Sequence, residues 1–89
     1  VVMSVFMVQR SLKDIPMEQL AAAQQRAIAT AEEMRSSGES VRYIRSAFVP
    51  ETGQCNCLFE AKDREQVGRL NDKAGIPYDR IVPALDLSP

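Results

Sequence analysis

An α+β fold, with two helices laid on one face of a four-stranded antiparallel sheet, is what the sequence predicts. Three observations predict it. Segments of β-type or alternating character and segments with helical apolar spacing follow in the order strand, helix, strand, strand, helix, strand. The first strand is apolar on both of its alternating faces, as a central strand must be. The last carries Pro83, which cannot donate to a ladder and belongs at a sheet edge. This order is the ferredoxin-like βαββαβ arrangement, whose first and third strands are central and whose fourth is an edge.

Each element has a local cause. Val1 to Arg10 is rich in β-branched residues and forms the first strand. Ser11 to Ile15 is a loop, and Pro16 stands in the first turn of a helix, where a missing N–H costs nothing. Met17, Leu20, Ala21, Ala27, Ile28, Ala31 and Met34 give that helix an apolar stripe over about twenty residues, and Gly38 ends it. Val41 to Val49 is the second strand. A three-residue loop, Glu51-Thr52-Gly53, then closes a hairpin at Pro50 and Gln54. In that register Tyr43, Arg45, Ala47 and Val49 share a face with Cys55, Cys57 and Phe59 of the third strand, Gln54 to Ala61. Asp63 caps the second helix, with Gln66 completing a capping box and Val67, Leu70 and Ala74 facing inward. Gly75 and Pro77 stop it. The fourth strand runs from about Asp79 to Leu87.

The 89 residues suffice for one domain, spanning 1–89, which buries only roughly 60–65% of its unfolded surface. A formal charge of −1 from interspersed acids and bases argues against nucleic acid or an anionic membrane as partner. No apolar run is long enough to span a bilayer, and Val1 to Val8 lacks the flanks of a signal peptide, so a cytoplasmic protein is expected. Two helices cover one sheet face only. The two-sided first strand, with Ile44, Phe48 and Leu58 on its neighbours, therefore predicts a homodimer through the open face or a ligand there.

Chemistry concentrates on the third strand, because Cys55 and Cys57 are the only cysteines and histidine is absent. Both read as small buried hydrophobes whose burial raises their pKa. Two thiols without histidine do not complete a tetrahedral site within one chain unless carboxylates or a partner subunit join them, so no metal is assigned. The C-x-x-C of copper chaperones is absent from the loop Arg10-Ser11-Leu12-Lys13. No Ser-His-Asp, Cys-His or phosphate-loop pattern occurs, and Phe6 and Phe59 lack the signature of an RNA-recognition domain. Arg45 has two readings. Its stem lies on an edge strand with the head in water, or its guanidinium recognises an anion in a cleft walled by Tyr43 and Cys57.

Tyr43-Ile44-Arg45-Ser46, Cys57-Leu58-Phe59-Glu60-Ala61 and Ala74-Gly75-Ile76-Pro77-Tyr78-Asp79-Arg80-Ile81 resemble a family of small bacterial ferredoxin-like proteins of unknown function. The best-described type in that family is a dimeric nickel-binding protein. Met7-Val8-Gln9-Arg10 is similar to the family's opening strand, so the likeness spans nearly the whole chain. The resemblance implies the fold, a dimer, and a ligand pocket lined by Tyr43, Arg45 and Cys57. The family pattern places a histidine where this chain has Arg45 and an aspartate where it has Glu51, so nickel is not expected as the ligand. The expected function is a small-ligand or metal-binding homodimer, with no cofactor. The alternative is a dimeric α+β barrel enzyme resembling small monooxygenases and isomerases, acting on a small apolar or anionic substrate.

Overall fold

The computed structural model describes residues 3–87. Its elements are β1 (Ser4–Ser11), α1 (Met17–Ser36), β2 (Arg42–Val49), β3 (Gln54–Ala61), α2 (Arg64–Ala74) and β4 (Arg80–Ala84). The sheet order is β2-β3-β1-β4 with every pairing antiparallel, so the fold is the ferredoxin-like one, and β1 and β3 are central. Pro83 lies on the edge strand β4, opposite Phe6. Val1 and Val2, assigned above to the first strand, lie outside the described residues.

The helix-facing side of the sheet is set by alternation. Phe6 and Val8 of β1 pair with Phe59 and Cys57 of β3, and all four are buried with Cys55 and Ala61 against the helices. On α1 the inward line is Leu20, Ala23, Ala27, Ala31 and Met34. Met17 and Ala21, expected in that stripe, are exposed, because the helix turns its three alanines to the sheet instead. Each helix ends as its glycine predicts. Gly38 and Gly75 have φ of 93° and 70°, and the N–H groups of Glu39 and Ile76 reach back to the carbonyls of Met34 and Asn71. Asp63 accepts from the Gln66 N–H at 2.8 Å, while the Gln66 side chain accepts from Lys62 N at 3.0 Å, one residue outside the expected capping box.

The hairpin corrects the predicted register. Val49, not Pro50, pairs with Gln54, so the loop has four residues, Pro50 to Gly53, and the carbonyl of Val49 accepts from Thr52 and Gly53. Pro50 has no N–H to give the ladder. Moving by one residue turns Ser46 and Phe48 toward the helices and Arg45, Ala47 and Val49 toward the open face. This exchange half-buries an aromatic ring and leaves a guanidinium in water, which is the favourable direction for both. A bulge between Tyr43 and Arg45 absorbs the extra residue, so Tyr43 returns to the helix side opposite Phe59. Phe48 is therefore not part of the open face. β4 is also shorter than expected, and Leu85 and Leu87 beyond it are 81% and 84% exposed.

Candidate functional site

Between α1 and the β2–β3 hairpin lies a cavity of about 150 Å3. An apolar cavity of that size admits a molecule such as benzene. Leu20, Ala23 and Ala27 of α1 form one wall, and Tyr43, Ser46 and Phe48 of β2 another. Cys55 and Cys57 form the floor, with Arg10 behind them and Leu12 and Ile76 at the sides. The polar groups gather in one corner.

That corner holds a directed chain of hydrogen bonds. Gln24 Nε2 donates to Tyr43 Oη at 2.9 Å, which leaves the Tyr43 proton for Ser46 Oγ at 2.6 Å and the Ser46 proton for Cys57 Sγ at 2.9 Å. Tyr43 is held for this by an edge-to-face contact with Phe59, ring centroids 5.5 Å apart. Cys55 Sγ lies 3.8 Å from Cys57 Sγ. Cys57 thus sits where donors converge.

Arg10 supplies charge from below. It is the last inward residue of β1, opposite Cys55, and only 2% exposed. Its guanidinium donates to Asn71 Oδ1 at 2.9 Å and to the Pro77 carbonyl at 3.1 Å. No carboxylate pairs with it among the described residues. The Cys55 thiol, the Arg10 charge and the Ser46 hydroxyl together hold Cys57 well below the ordinary thiol range, against the opposing effect of burial. Cys55 moves the other way, raised by its bond to Cys57 and by burial. The expectation that both thiols are raised is therefore corrected at Cys57, because burial there is outweighed by donors and by a buried cation.

The two shifts predict a pH dependence. Cys57 has a folded pKa below its unfolded one, so its contribution to stability is complete above the ordinary thiol value and is lost as pH falls toward the depressed value. Cys55 has a raised folded pKa, so its contribution is complete below the ordinary value and is lost as pH rises through the raised one. Together they favour folding most near about pH 8.5. Thermal melts should show Tm rising between about pH 6 and about pH 8.5 more steeply in the parent than in Cys57→Ser, and equal slopes would contradict the assignment.

Of the three residues expected to line the pocket, the structure brings Tyr43 and Cys57 together and places Arg45 elsewhere. Arg45 lies opposite Leu58 on the open face and donates to Asp86 Oδ2 at 2.9 Å, its side chain 60% exposed. The register of the hairpin is the reason. Exposed ion pairs of this kind contribute little, so Arg45→Ala should change unfolding free energy by about 1 kcal/mol or less in urea denaturation. Arg10, Ser46 and Phe48 were not foreseen at the cavity. Phe6, Val8 and Arg10 share one alternating face, and that pattern alone puts a charge under the helices.

Residues 6–83 match the profile of a family described as nickel responsive protein, SCO4226-like. The chain is also similar to the crystal structure of SCO4226 from Streptomyces coelicolor A3(2), with a TM-score of 0.78 and 28% identity over 97% of this chain and 100% of that one. No curated protein matches the chain.

Proposed function

The chain belongs to the SCO4226-like family of nickel responsive proteins, and from that membership we propose that it is a non-enzymatic binding protein whose ligand site is the cavity between α1 and the hairpin. The observation that carries the reading is a buried guanidinium with no acidic partner among the described residues, beside two thiols and a chain of donors, all opening on space no described side chain fills. Recognition belongs to Cys57, Ser46 and Tyr43, with Arg10 setting the charge of the corner. Native mass spectrometry of untagged protein from its own host should retain a small bound species. The Ala23→Phe variant, which fills the cavity from α1, should lose it while keeping its circular dichroism. Retention unchanged by that variant would overturn the assignment.

Nickel is not the ion this site is built for. First-row divalent ions such as nickel suit imidazole, which this chain lacks, and no group of three or more Cys, Asp or Glu stands together among the described residues. Isothermal titration of tag-free protein with nickel should give at most weak heats. A stoichiometric, submicromolar isotherm that vanishes in Cys57→Ser would reverse this conclusion.

The protein works as a homodimer through the open sheet face, in a reducing compartment that keeps its two cysteines free. Val5, Met7, Leu58 and Val82 form a half-buried apolar row there, and Leu85 and Leu87 extend it. No helix among the described residues is long and apolar enough to cross a membrane. Sedimentation should show a dimer that Met7→Lys dissociates; a parent that stays monomeric at tens of micromolar, an ordinary assay range, would refute it.

A further inference from the structure

We propose that Cys55 and Cys57 form a two-coordinate site for a soft monovalent cation of the Cu(I) or Ag(I) class, with Arg10 as the buried charge that balances it. The inference rests on the cavity being the ligand site and names what it holds.

Geometry brings the two sulfurs together. Alternate residues of β3 point the same way, and the two Sγ atoms stand 3.8 Å apart on the floor of the cavity, within reach of a single bridging ion. Charge then selects the ion. Two thiolates carry −2 and the Arg10 guanidinium +1, so a monovalent cation makes the buried cluster neutral. A divalent one leaves a net positive charge where no carboxylate faces it among the described residues. Coordination number selects in the same direction. Divalent ions of the zinc or nickel type need further protein ligands, and no third Cys, Asp or Glu joins the pair among the described residues. Soft monovalent ions are satisfied by two thiolates. Ser46, 2.9 Å from Cys57 Sγ, supplies the outer hydrogen bond that commonly orients a ligating group. On loading, two metal–sulfur bonds form as the ion sheds its solvent ligands, Cys57 enters as the thiolate, the Cys55 proton leaves to solvent, and no electrons are exchanged.

The test is an anaerobic titration of reduced, tag-free protein with silver nitrate in chloride-free buffer, followed by native mass spectrometry and calorimetry. One silver ion per chain is expected, with proton release. Cu(I) delivered as its acetonitrile complex should be held against bicinchoninate. Cys55→Ser and Cys57→Ser should each weaken silver binding by more than the about 100-fold that loss of an outer partner causes. Arg10→Met should weaken it by about 10–100-fold and Arg10→Lys by less. Absent silver binding, affinity unchanged in either serine variant, or zinc bound as tightly as silver would each overturn the proposal. Should Arg10→Met prove unfolded by circular dichroism, the serine variants decide alone. Protein that fails to bind silver yet retains an organic molecule, released by Ala23→Phe, sinks the metal and leaves the cavity reading standing. Silver binding that depends on both cysteines and is weakened by Ala23→Phe supports both readings, whereas binding untouched by Ala23→Phe overturns the cavity reading and the proposal that rests on it.

Discussion

Replacing Asn71 with leucine should destabilise the protein by about 3 kcal/mol, the upper range for stranding a buried charged donor. Asn71 is fully buried and anchored, its Nδ2 donating to the Val67 carbonyl at 2.9 Å while its Oδ1 accepts from Arg10. Leucine is similar in size, so packing changes little and the loss is that of the acceptor. The guanidinium would keep the Pro77 carbonyl and have to lean harder on the thiols. A double-mutant cycle separates this account from a packing effect. Arg10→Met removes the charge, and in that background Asn71→Leu should cost about 1 kcal/mol or less, since no ion is left stranded. Strict additivity of the two substitutions in urea denaturation would show that Arg10 and Asn71 are not coupled. The result bears on function, because this pair holds the positive charge at the floor of the cavity.

Gly53→Ala should cost about 3 kcal/mol, the sum of a left-handed backbone and a collision. Gly53 has φ of 80°, and a Cβ added there would lie 2.4 Å from Lys13 Cα and 2.5 Å from Lys13 N. Backbone cannot yield as a flexible side chain can. The contact is also part of the site, since Leu12 N donates to the Gly53 carbonyl at 2.7 Å and Leu12 borders the cavity. Gly38→Ala is the control. It shares the positive φ, at 93°, but a Cβ there meets nothing within 4 Å, so its cost should be only about 1 kcal/mol. Equal losses at the two positions in chemical denaturation would mean that backbone conformation alone matters and the close approach does not.

The sequence by itself determined the elements, their order and most of their ends. β3 runs from Gln54 to Ala61 as its alternation predicts, and Asp63, Gly38 and Gly75 act where their chemistry places them. These signals are local, carried by residues within one turn or one strand of the position they specify. The sequence also carried the likeness to the family that the profile bears out over residues 6–83.

The face each β2 residue takes was decided only in three dimensions. One residue of hairpin register exchanged Arg45 for Phe48 beneath the helices, and the bulge before Arg45 returned Tyr43 to the cavity. A period of two makes such a slip total, so the choice falls to whichever packing buries the ring and leaves the charge in water. The chemistry of the site was decided at the same level. Arg10 and Cys55 are far apart in sequence and become neighbours only across the β1–β3 pairing, and Asn71 reaches them from α2. Whether a cysteine is a quiet hydrophobe or a poised thiolate depends on the charges and donors around it. For Cys57 those come from β1, β2 and its own strand, and only the folded sheet puts them in one place.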